Sequence, residues 1–147
     1  MKQMDDQEVR CLVYDMTMRS GMPPLARDVA RVLGAPVDDV RDSFRRLADA
    51  HMLVLQRDVP EILMAMPYSA VPTAFVVHAG GVTSYGNCMW DALGIAATLH
   101  ADAHIHTSCA DCGTAAEVRI EKEKVIGEGL VHFACPVRDW WNDVVFT

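Results

Sequence analysis

No apolar run in the 147-residue chain reaches the roughly 18–20 residues that a membrane-spanning helix needs, although 51% of the residues are hydrophobic. The N-terminus, "MKQMDDQEVR", also lacks the apolar core of a secretory signal, so the expectation is a cytoplasmic protein with no membrane contact. An even set of cysteines is missing too. There are five, an odd number in a chain read as unexported, which argues for free thiols, metal ligands or a catalytic thiol rather than a disulfide framework. Positive charge is scarce, with 13 Lys and Arg against 20 Asp and Glu, and a net charge of −7 disfavours a purely electrostatic nucleic-acid binder. Internal repeats and low-complexity segments are absent. What remains is a chain the size of one ordinary domain, or of a small core with an accessory segment, able to bury a sizeable interior without staples.

Charge is unevenly distributed. Residues 1–60 carry nine Lys/Arg against ten Asp/Glu and residues 61–147 carry four against ten, which suggests a change of character near residue 60. Upstream of it, "DQEVRCLVYDMTMRSG" places Val9, Leu12, Val13 and Met16 at helical spacing and ends at a Gly before Pro23 and Pro24. "LARDVARVLG" repeats the pattern through Leu25, Val29, Val32 and Leu33. "VDDVRDSFRRLADAHM" then sets Val40, Phe44 and Leu47 on one face. "MLVLQRDVPEILMAMP" reads as two strands around a polar turn, with Met64 and Met66 alternating in the second. Three helices and a hairpin predict a winged-helix-like module over residues 1–66. In its third helix Arg41, Arg45 and Arg46 face Asp38, Asp39, Asp42 and Asp49, so DNA is disfavoured as a partner and the module reads as structural.

Residues 67–147 form the second predicted unit. "AFVVHA" is strand-like, Gly80-Gly81 is a turn, and Asn87 is a good N-cap for a helix starting at Cys88, with Trp90, Leu93 and Ala97 turned inward. "DAHIHTSCADCG" reads as strand and turn, "AAEVRIEKEKVI" as a strand, and "GEGLVHFACP" as another closed by Pro136. "VRDWWNDVVFT" starts as a helical turn or loop and ends in a β-like "VVF". The predicted class is α+β.

Two constellations carry chemistry. Cys88 and Asp91, at i and i+3, share a helical face. In a first turn the unpaired N–H groups and the helix dipole favour a thiolate, which is both nucleophile and soft-metal ligand. The bland alternative is a small buried hydrophobe beside an ordinary N-terminal carboxylate. The second constellation is the C-x-x-C of Cys109 and Cys112, with His104 and His106 upstream. It is half a zinc site, which Cys135, His132 or those histidines could complete, making Zn(II) at Cys109/Cys112 the candidate cofactor; turn-structuring or core thiols are the alternative. Cys11 lies among the apolar positions of the first helix and reads as core. Trp140 and Trp141 line a pocket or pack on the core.

From residue 68 onward the chain resembles the alkylmercury (organomercurial) lyase family, through "YSAVPTAFVV", "YGNCMWDALGIAATL" with its Y-x-x-C-x-x-D pattern, "HTSCADCG" and "VHFACPVRDWWNDVVFT". The resemblance implies an organomercurial-lyase-like core of short mixed or antiparallel strands packed with helices, and protonolysis of carbon–mercury bonds. Two cysteine thiolates would hold Hg(II), and one carboxyl group would pass a proton to the leaving carbon. Carried over by motif, Cys88 is similar to the first mercury-binding thiolate, Asp91 to the proton-handling carboxylate, and Cys109 to a cysteine the family uses structurally. No cofactor is required; Hg(II) is substrate and product, and small organomercurials and small thiols are the partners of a monomer or homodimer. In the family the second catalytic cysteine follows a segment like "WWNDVVFT", which here runs to Thr147. Either the chain is a truncated product, or another thiol takes that role, or carbon–mercury cleavage is not its chemistry. Cys135 is the first substitute, since a strand end can point into a pocket, and Cys109 and Cys112 follow. Two other functions stay open: a non-catalytic metal sensor holding a thiophilic ion with Cys109, Cys112 and His106, and a different enzyme with Cys88 as covalent nucleophile and Asp91 as acid/base.

Overall fold

The structure, a computed structural model, describes residues 4–145. Helix α1 (Asp6–Ser20) starts where the Asp5 carboxylate accepts the Gln7 N–H and stops at Gly21, whose φ of 88° is left-handed backbone that glycine takes without strain. Helix α2 (Ala26–Leu33) follows the Pro23-Pro24 break and ends at Gly34, and helix α3 (Val37–Asp49) follows directly. Their apolar faces meet around Val9, Val13, Val29, Val40, Phe44 and Leu47. In α2 the buried positions are Ala26, Val29 and Ala30, whereas Leu25 and Val32 are exposed. The two alanines let the short helix approach its neighbours closely, which turns the larger side chains outward. Arg46 on α3 donates to Asp6 at 2.6 and 2.9 Å, and Ser43 donates to the same carboxylate at 2.7 Å, tying α1 to α3.

Strands β1 (Val54–Leu55), β2 (Ile62–Ala65) and β3 (Tyr68–Ser69) make a three-stranded antiparallel sheet in that order, and Leu53, Ile62 and Ala65 join the helical core. Met64 lies in β2, but Met66 belongs to the turn before β3 rather than to the strand. Strands β4 (Val76–Ala79) and β5 (Val82–Tyr85), helix α4 (Met89–Leu99), and strands β6 (Ala103–Ser108), β7 (Ala115–Glu121) and β8 (Lys124–Ile126) complete the regular structure before a 3-10 helix at Val137–Asn142. The larger sheet has the order β5-β4-β6-β7-β8 and is antiparallel throughout. Strand alternation directs Val77, Ala79, Ala103 and Ile105 to one face, where Ala92, Ile95 and Ala96 of α4 cover them. The architecture is α+β, as the sequence predicts.

Two close approaches connect these layers. A Cβ at Gly21 would lie 2.0 Å from the Thr83 carbonyl oxygen, so only glycine lets the end of α1 meet β5. Tyr68 bridges to Gly86, linking the smaller sheet to the approach of α4.

The C-terminal part departs from its predicted strands. "AAEVRIEKEKVI" folds into the β7-β8 hairpin, because Lys122 and Glu123 both take positive φ and reverse the chain. No strand forms over residues 127–136: Gly129 at φ 130° and Pro136 interrupt the pattern, and Leu130 is fully exposed. Val144 and Val145 form a turn instead of the β-like ending, and the rest of that segment lies outside the described residues.

Candidate functional site

Residues 85–91 build the first constellation. Gly86 donates to the Phe75 carbonyl at 3.0 Å and accepts from the Thr73 hydroxyl at 2.6 Å, which fixes the chain just before α4. A Cβ on Gly86 would come within 2.7 Å of the Ala92 amide nitrogen, so the glycine lets the incoming segment lie against the first turn of the helix. Cys88 itself, rather than Asn87, is the N-cap. Its backbone is extended and its Sγ accepts the Asp91 N–H at 3.5 Å. The Asn87 side chain is thereby free to bond elsewhere, and its amide donates to the Asp91 carboxylate at 2.9 Å and to the Pro67 carbonyl at 3.4 Å.

Both reactive groups are partly withdrawn from water. Burial pushes the Cys88 thiol above its ordinary value, with Asp91 adding to the rise while the Asp91 and Trp90 amides oppose it. The thiolate expected from the helix dipole alone is therefore outweighed by desolvation. Burial likewise pushes the Asp91 carboxyl up, against the lowering effect of the Asn87 hydrogen bonds. Both shifts favour the uncharged forms, so the Cys88 thiol and the Asp91 carboxyl each hold a proton more tightly than they would in water.

Tyr14, on α1, is the neighbour that sequence reasoning missed. Its hydroxyl donates to the Met66 carbonyl at 2.9 Å; burial raises its pKa most, Arg10 lowers it, and the Asp91 charge raises it further. Nothing in the sequence links positions 14 and 91. A Cβ on Gly94 would lie 3.3 Å from the Pro67 ring, so α4 packs against the same Met66–Tyr68 turn that Tyr14 of α1 bonds.

Trp90 and Ala97 face outward rather than inward, since the helical face against the sheet is Ala92, Ile95 and Ala96. Trp90 meets Phe133 edge-on with centroids 6.0 Å apart; Phe133 lies 5.4 Å from Trp140; and the Trp140 indole donates to the Cys135 carbonyl at 3.2 Å. This chain of contacts brings the half-buried Cys135 segment to the helix that carries Cys88 and Asp91. Trp141 instead stacks on His51, with centroids 4.1 Å apart.

The remaining thiols lie elsewhere. Cys11 is exposed on α1 and contacts Gln7, because Val9 and Val13 already point into the core. Cys109 and Cys112 are exposed on the turn between β6 and β7; Gly113 closes it by donating to the Cys109 carbonyl at 2.9 Å. Hydrogen bonds from Thr114, then from Cys109, hold the Cys112 thiol below its ordinary value. Among the described residues neither cysteine joins two further His, Cys, Asp or Glu donors within 4.8 Å, and His106 groups with His104 and Glu117 instead. His132 is exposed. A recess of about 350 Å³ at the β4-β5 turn, lined by His78, Thr83 and Asp102 among others, does not include Cys88 or Asp91.

The alkylmercury lyase family (MerB) matches residues 68–147, more than half of the chain. Among solved structures, "Crystal structure of the mercury-bound form of MerB2" aligns with a TM-score of 0.62 at 26% identity, covering 82% of this chain and 59% of that one. The chain therefore spans less than two thirds of that relative's length. No curated protein matches the sequence.

Proposed function

Because the chain belongs to the alkylmercury lyase family, matched over residues 68–147, we propose that it cleaves carbon–mercury bonds by protonolysis, with Cys88 as mercury-binding thiol and Asp91 as proton carrier. The observation that carries this reading is the contact between the two: the Cys88 sulfur accepts the Asp91 amide at 3.5 Å, while the Asp91 carboxyl, raised by burial, is held by Asn87.

The steps balance with the groups present. An organomercurial arrives as R–Hg–SR′, carried by a small thiol. Mercury is soft and thiolate is the softest protein donor, so the Cys88 sulfur bonds to it and loses its proton. Asp91 accepts that proton, and its raised affinity suits it to do so. As the C–Hg bond breaks heterolytically, its electron pair takes the proton from Asp91 and leaves as R–H. Mercury remains as Cys88–S–Hg–SR′, and a further small thiol displaces it. Where a second protein thiol joins, it weakens the C–Hg bond by adding electron density to mercury and displaces R′S⁻, which leaves as R′SH with that thiol's proton, so mercury is then held between two protein sulfurs. Among the cysteines of this chain Cys135 takes that role, since its segment packs on Trp90.

Benzene release from phenylmercury, measured by headspace gas chromatography with excess small thiol, tests the reading. Wild type is expected to turn over and Cys88→Ser to release nothing; absence of product from wild type, or an unchanged rate in Cys88→Ser, refutes it. Cys135→Ser is expected to slow release, and an unchanged rate would assign the second thiol to the small thiol in solution.

A further inference from the structure

The two sides of the five-stranded sheet are chemically unlike. One is apolar and covered by α4; the other is open and carries histidines. Strand alternation puts His104 and His106 of β6 together on that open face, since the alternate residues Ala103 and Ile105 are buried. Glu117 of β7 is the register partner of His106, and His78 of β4 is the register partner of His104. The His104 and His106 rings lie 4.5 Å apart, and His78 meets His106 at 5.4 Å. His104 Nε2 faces the Glu117 carboxylate, and the ligating atoms of His104, His106 and Glu117 all lie within 4.8 Å of one another.

We propose that His104, His106 and Glu117 form a binding site for a divalent transition-metal ion of the Zn(II) class, on the sheet face opposite the helix of Cys88 and Asp91. Two imidazoles and one carboxylate are borderline donors that suit Zn(II) and its neighbours and leave a fourth position open. A tetrahedral ion with bonds of about 2.1 Å wants its donors about 3.4 Å apart. The ligating atoms of His104, His106 and Glu117, all within 4.8 Å of one another, are close to that spacing. His78, whose Nδ1 lies 3.0 Å from the Thr83 hydroxyl, flanks the site with its ring 5.4 Å from that of His106. Side-by-side imidazoles on a solvent-facing sheet bury little apolar area, so packing alone gives no reason for their clustering. Because the sheet separates the two sites, metal binding here does not depend on the proposed lyase chemistry.

The test is Zn(II) affinity and stoichiometry of the full chain by competition with a chromophoric chelator, with Co(II) absorption spectra as a second readout. A Cys109→Ser/Cys112→Ser variant is expected to keep one equivalent of Zn(II) and to give Co(II) bands without sulfur charge transfer. Adding His104→Ala and His106→Ala, with folding checked by circular dichroism, is expected to lower affinity at least tenfold and to remove those bands. Unchanged affinity after the histidine substitutions, or complete loss of binding in the cysteine variant alone, overturns the proposal.

Discussion

Burial acts on Cys88 and Asp91 in the same direction, raising both, and this sets how the pair responds to pH. Asn87 donates to the Asp91 carboxylate and favours its charged form. Removing that hydrogen bond in Asn87→Ala therefore raises the Asp91 pKa further, and the rising limb of the pH–rate profile should move to higher pH. A profile that stays in place would show that Asn87 does not position the carboxylate. Linkage makes a second prediction. A folded pKa above the ordinary 3.8 means that the folded state holds the proton more tightly than the unfolded state, so stability falls as pH rises through that window. Asp91→Asn removes the effect: it should melt higher than wild type near pH 7, with the difference vanishing below the ordinary carboxylate range. Thermal melts across pH measure this directly. The Cys88/Asp91 pair is legible in the sequence because i, i+3 spacing on a helix is local geometry. The parts played by Asn87 and Tyr14 are not: Asn87 looks like the cap that Cys88 supplies, and Tyr14 comes from α1, far away in sequence.

Elements follow the same division. The three N-terminal helices are readable from apolar spacing and from the glycines that stop them, because both signals act within one or two turns. The joint at Gly21 needs the tertiary structure, since its reason is the Thr83 carbonyl on another element. Gly21→Ala adds a methyl group 2.0 Å from that oxygen at a φ of 88° and should cost about 1–3 kcal/mol or more in urea denaturation. Neutral behaviour would mean that α1 and β5 do not meet as described. The stretch from "AAEV" to Pro136 misleads because its β-forming residues fit one long strand as well as a hairpin. The two positive-φ residues Lys122 and Glu123 decide for the hairpin, and non-glycine residues give little sign of that conformation in advance. In α3 the arginines pair with carboxylates, Arg41 with Asp38, Arg45 with Asp42 and Arg46 with Asp6, which leaves little charge to offer a phosphate backbone.

At the scale of the molecule, two apolar clusters sit under two sheets, and the candidate site lies where α1, the Met66–Tyr68 turn and α4 come together. The hydrogen bonds from Arg46 hold the Asp6 carboxyl below its ordinary value against a smaller opposing effect of burial. That contribution is present above the ordinary carboxylate range and is lost as pH falls through the lowered value, so Asp6→Asn should flatten the acid limb of a stability curve measured by chemical denaturation. An unchanged acid limb would mean that the tie between α1 and α3 adds nothing to the stability of the helical part. The central claim is a division of labour, with Cys88 capturing mercury and Asp91 delivering the proton. A single-turnover experiment with phenylmercury tests it by measuring, in one sample, protein-bound mercury and released benzene. Asp91→Asn should retain mercury on Cys88 while benzene release falls by a factor of about 10²–10⁴; release at the wild-type rate from that variant would contradict the account.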